Sequence, residues 1–114
     1  THDNKPILGY LETLTTQELE KYVSDLKKEC FLFGVDFNDN SLKDLTYTTD
    51  ELCLAGPTCG AVIPLQDYLA LGDESRINEP STTSDKNWTW RCKESDFSNE
   101  LSDFIKTNIE RFHR

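Results

Sequence analysis

Leu19, Tyr22, Val23 and Leu26 recur at helical spacing in the segment that opens at Thr15, and residues three and four apart share one face of a helix. Thr15 followed by Glu18 is a capping-box signature. Lys27 and Lys28 suit the carbonyl end of the helix dipole, so the pattern predicts a helix from Thr15 to about Cys30. Asn38-Asp39-Asn40-Ser41 is a turn cluster. A second, short helix is expected from Thr48 or Thr49, with Asp50 and Glu51 in its first turn and a stop near Gly56-Pro57. Ala61-Val62-Ile63-Pro64-Leu65 is a continuous apolar run bounded by Gly60, which suits a buried parallel strand. Gln66 to Leu71 could add one helical turn. Gly72 to Asn87 contains almost no large apolar residues and reads as a long loop. Ser95 to His113 reads as an amphipathic helix with Phe97, Leu101, Phe104, Ile105, Ile109 and Phe112 on its apolar face.

Helix, helix, strand, loop, helix is an odd inventory for a free-standing domain. A single buried strand has no sheet in which to pair its backbone groups. The order makes more sense as the closing segment of a larger α/β unit, with residues 1–114 forming one portion and no separate second domain. The chain contains no Met, and its opening Thr1-His2-Asp3-Asn4-Lys5-Pro6 carries no basic-plus-apolar leader. Both features fit a piece of a longer polypeptide in the cytoplasm.

Charge narrows the partners. The 114 residues carry a formal net charge of -9, which repels phosphate backbones and anionic membrane surfaces, so neither nucleic acid nor membrane is expected. No apolar run approaches the roughly 18–20 residues of a membrane span. The four cysteines form no CxxC pair, and the two histidines, His2 and His113, sit near opposite ends. No metal site and no cofactor are expected. Cys30, Cys53 and Cys59 have apolar neighbours and read as reduced core thiols.

His2 and Asp3 put an imidazole beside a carboxylate just before Pro6. Such a pair fits an active site at the end of a barrel strand; taken alone, it fits an inert, frayed terminus better. Glu74, Arg76 and Asn78 add polar groups inside the long loop. Trp88 and Trp90 flank Thr89, so both rings could lie on one strand face and stack on sugar, or serve in packing. There is no Gly-rich phosphate loop, and no Ser or Cys nucleophile has an adjacent base.

Two stretches together resemble the amylomaltase, or disproportionating-enzyme, family of 4-alpha-glucanotransferases. One is Thr1-His2-Asp3-Asn4 with Leu8-Gly9-Tyr10. The other runs from Ile63 through Pro64-Leu65-Gln66-Asp67-Tyr68-Leu69-Ala70-Leu71-Gly72 to Glu74, Arg76, Asn78 and Pro80, followed by Asn87-Trp88-Thr89-Trp90-Arg91. The resemblance spans essentially the whole chain but only the last part of a family member. It implies an α/β fold, the C-terminal segment of a (β/α)₈ TIM-type barrel. That segment would be mostly helical here, with one or two short parallel strands: Thr1-His2-Asp3 closing the seventh strand and Ala61 to Pro64 forming the eighth.

By the same resemblance, the chemistry is retaining transfer of α-1,4-glucan segments between maltooligosaccharides. Asp3 matches the carboxylate that stabilises the transition state, His2 a substrate-binding neighbour, and Asn78 a residue near the substrate. The nucleophile and the acid/base residue lie upstream in the family, so the isolated chain is expected to be inactive. The chain departs from the family at Ser81 and Lys86, where the family commonly has Gly. The partners implied are glucans and maltooligosaccharides, and the rest of the parent enzyme. Alternatively, exposed faces could drive self-association. Two other readings stand beside this one: a non-catalytic glucan-binding module using Trp88, Trp90 and His2, and a small acidic interaction protein stapled by disulfides.

Overall fold

The computed structural model describes residues 2–114, so the strand role expected at Thr1 lies outside the described residues. Helix α1 spans Ile7–Glu12, α2 Thr16–Phe33, α3 Leu42–Ala55, α4 Leu65–Tyr68 and α5 Asn99–Arg111. Short 3₁₀ turns cover Asp73–Ser75 and Glu94–Asp96.

The start of α2 is set where the pattern placed it. The Thr15 hydroxyl accepts from the Glu18 N–H at 3.2 Å, and the Glu18 carboxylate accepts from the Thr15 N–H at 3.1 Å. Two otherwise orphaned amide protons are thereby satisfied. The helix runs three residues past Cys30 and stops at Gly34, whose φ of 69° is the left-handed conformation that glycine adopts without a Cβ clash.

Helix α3 begins earlier than expected. Ser41 is its N-cap, accepting from the Asp44 N–H at 3.1 Å. Thr48 and Thr49, which read as caps, instead lie within the helix. Thr46 and Thr49 donate back to the carbonyls of Leu42 and Leu45, a local bond open to a mid-helix threonine as well as to a cap. The predicted stop does hold: Gly56 follows the helix, and its N–H reaches Leu52 O at 3.0 Å.

Leu11, Leu26, Cys30, Val35 and Leu45 make the buried centre, gathered from α1, α2, α3 and the α2–α3 connection. Tyr22 reaches across to Thr49 at 2.8 Å. Helix α5 joins through Phe104, which meets the rings of Tyr47 and Tyr68 at 5.7 and 6.4 Å. The C-terminal arginines close the assembly. Arg111 donates to Gly34 O at the end of α2, and Arg114 to Leu54 O and Gly56 O at the end of α3, where unsatisfied helix carbonyls concentrate negative potential.

Several expectations are corrected. Among the described residues there is no β-strand. The strand expected over residues 61–64 is a chain without ladder partners, and Val62 is 98% exposed. Residues 2–4 form turns rather than a strand end. A strand exists only as one side of a hydrogen-bonded ladder, and among the described residues neither stretch has a ladder partner. No strand carries Trp88 and Trp90 either, since Trp88 adopts a left-handed φ of 63°. Only Cys30 is a core thiol; Cys53, Cys59 and Cys92 are exposed, and all four are free. Of the apolar face foreseen near the C-terminus, Phe97 precedes α5 and is 62% exposed, and Ile109 is also exposed.

Candidate functional site

The site is built by three tethers, of which the first and third join segments far apart in sequence. The first holds α4 against α1. The Ile7 N–H, at the first position of α1, donates to Asp67 Oδ1 at 2.8 Å. Because Pro6 stands at the N-cap with no side-chain cap of its own, the carboxylate of a distant helix does the capping. Burial raises the Asp67 carboxyl above its ordinary range, and the Ile7 N–H partly offsets this.

The second tether folds the loop after α4. Gln66 donates from Nε2 to Ser75 O at 3.2 Å, and the buried Ser75 hydroxyl donates to Gly72 O at 2.8 Å. The α1 helix approaches this loop so closely that a Cβ on Gly9 would sit 3.0 Å from the Asp73 nitrogen. Lys5 and Asp73 add an ion pair at 3.6 Å.

The third tether makes the site. Asn78 Nδ2 donates to Asp3 Oδ1 at 2.7 Å across 75 positions of sequence. His2 Nε2 stands 3.3 Å from the same oxygen, an ion-pair distance when the imidazole is protonated. The Trp88 ring lies 4.8 Å from the His2 ring, tilted by 40°. Arg76 donates from Nη2 to Asp3 O at 2.8 Å and from Nε to Asn78 O at 2.9 Å.

All three expected site residues, His2, Asp3 and Asn78, are therefore in one cluster. About half of the His2 and Asp3 side-chain surface is open to solvent. A cleft of about 630 Å³ adjoins the cluster, walled by His2, Ile7, Val62, Pro64, Asp67 and Arg76. A second, of about 470 Å³, lies toward Glu79, Lys86 and Trp90 and shares Arg76 and Asp73 with the loop. The carboxylate and the amide are fixed to each other, and one face of the pair meets solvent: a geometry suited to gripping ligand hydroxyls. No group of three or more His, Cys, Asp or Glu side chains positioned to hold a metal occurs among the described residues.

The family model described as 4-alpha-glucanotransferase, of glycoside hydrolase family 77, matches residues 1–97. The chain belongs to that family. It is 36% identical over 109 residues to a 4-alpha-glucanotransferase of Clostridium butyricum, an alignment covering 92% of this chain and 19% of the relative. A 4-alpha-glucanotransferase of Thermus thermophilus is 33% identical over 117 residues, covering 100% of this chain and 21% of the relative. Among solved structures, the amylomaltase from Streptococcus agalactiae in complex with acarbose superposes with a TM-score of 0.82 at 24% identity, over 100% of this chain and 21% of that one. The fold of these residues is thus that of one portion of an amylomaltase. The chain spans about a fifth of the length of these relatives.

Within this glucanotransferase segment, sequence reasoning assigned no role to Gln66, Asp67 or Arg76, although all three lie in the motifs that carry the resemblance. Gln66 and Asp67 could have been singled out as polar residues directly behind the apolar run Ile63-Pro64-Leu65. No local signal distinguishes Arg76. Ser81, one of the two departures from the family pattern, adopts a left-handed φ of 61°, the conformation that a glycine tolerates most readily.

Proposed function

We propose that this chain supplies the transition-state-stabilising carboxylate of a 4-alpha-glucanotransferase that moves α-1,4-glucan segments between maltooligosaccharides. The observation that carries the reading is the 2.7 Å bond between Asn78 and Asp3. It fixes the orientation of a carboxylate that remains half open to solvent. Both protein contacts reach the same oxygen, Oδ1, so Oδ2 is the oxygen left to accept hydroxyl protons of the reacting glucosyl unit. His2 would donate to the same sugar, with Trp88 packed behind it.

In this reading the full enzyme is a (β/α)₈ barrel in the cytoplasm, and the nucleophile and acid/base carboxyls lie outside these 114 residues. The nucleophilic carboxylate attacks the anomeric carbon as the glycosidic C–O bond breaks. The acid delivers its proton to the departing glucan oxygen. A 4-hydroxyl of a second glucan then attacks the glycosyl-enzyme, returns a proton to that acid/base residue and frees the nucleophile. Positive charge grows on the sugar ring in both steps. A carboxylate already held in place stabilises that charge without reorganising.

Two features support a segment that works only within a larger enzyme. Phe31 and Val62 are 87% and 98% exposed, and the chain spans about a fifth of its relatives. Alone it is expected to be inactive. No helix is long and apolar enough to cross a membrane among the described residues.

The test is transfer activity on maltotriose by the intact polypeptide, compared with Asp3→Asn. A preorganised electrostatic stabiliser is worth about 10²-fold or more in kcat, so the variant should lose at least that much while its thermal midpoint holds. Wild-type transfer by Asp3→Asn would remove Asp3 from the mechanism. If the intact protein bound maltoheptaose by calorimetry without transferring glucan, it would instead be a binding module.

A further inference from the structure

We propose that Arg76 is the residue that positions Asp3, an inference resting on the reading of Asp3 as a transition-state stabiliser. Residues 2–4 lie in a turn, with neither ladder nor helix to fix them. A carboxylate on such a segment would wander unless its backbone were tied. The Arg76 guanidinium supplies the tie, bonding Asp3 O at 2.8 Å and Asn78 O at 2.9 Å. These are the main-chain carbonyls of the two residues whose side chains meet at 2.7 Å. One planar group therefore sets the spacing of both backbones, and the Asn78–Asp3 bond follows from it.

The choice of residue fits the task. A guanidinium presents its N–H donors in a fixed fork, whereas a lysine offers a single rotating head on a flexible stem. Arg76 bonds to the carbonyl of Asp3 and not to its carboxylate, so it acts on the carboxylate's place and leaves Oδ2 for substrate. Arg76 is half-buried and lines both clefts that flank the site. Lys5–Asp73 and the Trp88–His2 contact restrain the same turn from its two sides, but neither reaches the Asp3 backbone.

The experiment is a double-mutant cycle on glucan transfer by the full-length enzyme, with thermal midpoints recorded for every variant. Displacing a catalytic group by about 1 Å can cost on the order of 10²-fold, so Arg76→Gln should lower kcat by roughly 10- to 100-fold and change KM for maltotriose by less than about threefold in either direction. Placed in the Asp3→Asn background, the same change should cost less than about threefold, because there is no longer a carboxylate to position. Arg76→Lys, which keeps the charge and most of the packing, should still lose roughly tenfold, since one ammonium cannot reproduce the two-carbonyl fork.

If Arg76→Gln costs as much in the Asp3→Asn background as in the wild type, Arg76 acts independently and the inference falls. It falls equally if Arg76→Lys transfers like wild type, a variant that answers the question even if the glutamine enzyme does not fold. The failure of the underlying reading is separate and visible in the same cycle: Asp3→Asn alone would then leave kcat unchanged.

Discussion

Asp3 and Asp50 are carboxyl groups in opposite circumstances. Asp3 stands in a turn, half open to solvent, with an amide donor at 2.7 Å and an imidazole at 3.3 Å. Asp50 stands in the middle of α3 at 0% exposure, and neither of its oxygens has a hydrogen-bond partner among the described residues. Burial, with the nearby Asp67 and Glu51 carboxyls, pushes Asp50 from 3.8 up to about 8. The two carry the same side chain in one small fold. The difference shows that a carboxyl is available as a charge only where water or donors reach it; elsewhere the fold keeps it protonated.

The contrast predicts that Asp50 governs stability and that the Asp3 cluster governs activity. The largest effect belongs to Asp50. Its folded pKa of about 8 lies above the 3.8 of an ordinary aspartate, so the folded chain holds a proton that the unfolded chain releases. The associated stability is fully present below pH 3.8 and is lost as pH rises through about 8. Urea unfolding of the full-length protein at pH 5 and pH 9 should show a decline of roughly 2–4 kcal/mol. Asp50→Asn, which cannot ionise, should flatten that slope and leave transfer kinetics alone. A slope as steep in the variant as in the wild type would mean that Asp50 is not the group responsible.

Next in size is Asn78→Ala. A hydrogen bond to a charged group is worth about 1.5–3 kcal/mol, so kcat/KM should fall by roughly 10- to 100-fold with little change in unfolding. Equal losses of activity and stability would blur the division between the two regions.

The smallest effect is at Ser81, in the loop that carries Asn78. Its φ of 61° is a conformation costly to any residue with a Cβ. Ser81→Gly should gain about 0.5–1 kcal/mol, part of the relief being returned as extra freedom in the unfolded chain. A thermal midpoint unchanged or lowered would show that this turn stores no strain.

Some of these features were legible in the sequence, and the reason is locality. The capping box of Thr15 and Glu18 closes within three residues, so its signature is printed in the chain. The motifs around Gln66 and Asn78, and the pair His2-Asp3, were enough to point to the family and to bring three candidate site residues forward. The early start of α3 was missed because Thr48 and Thr49 read like caps. Their hydroxyls instead bond to the carbonyls of Asn38 and Leu45, and a threonine's sequence does not say which way its hydroxyl turns. The apolar run 61–65 met every local requirement of a strand except a neighbour, and a neighbour is not a local property.

What the sequence determined by itself, then, is what short-range bonds can fix: the N-cap of α2, the stop of α3 at Gly56, and membership in a glucanotransferase family. The tertiary structure decided the rest. It left Val62 in solvent, sealed Asp50 away from any donor among the described residues, and turned Asp67 into the cap of a helix 60 positions earlier. It also joined Asp3 to Asn78 and Arg76 across 75 and 73 positions. Such closures carry an entropic cost that only the packing of the intervening helices can offset, so their outcome is fixed by the assembled core and not by any stretch of the chain.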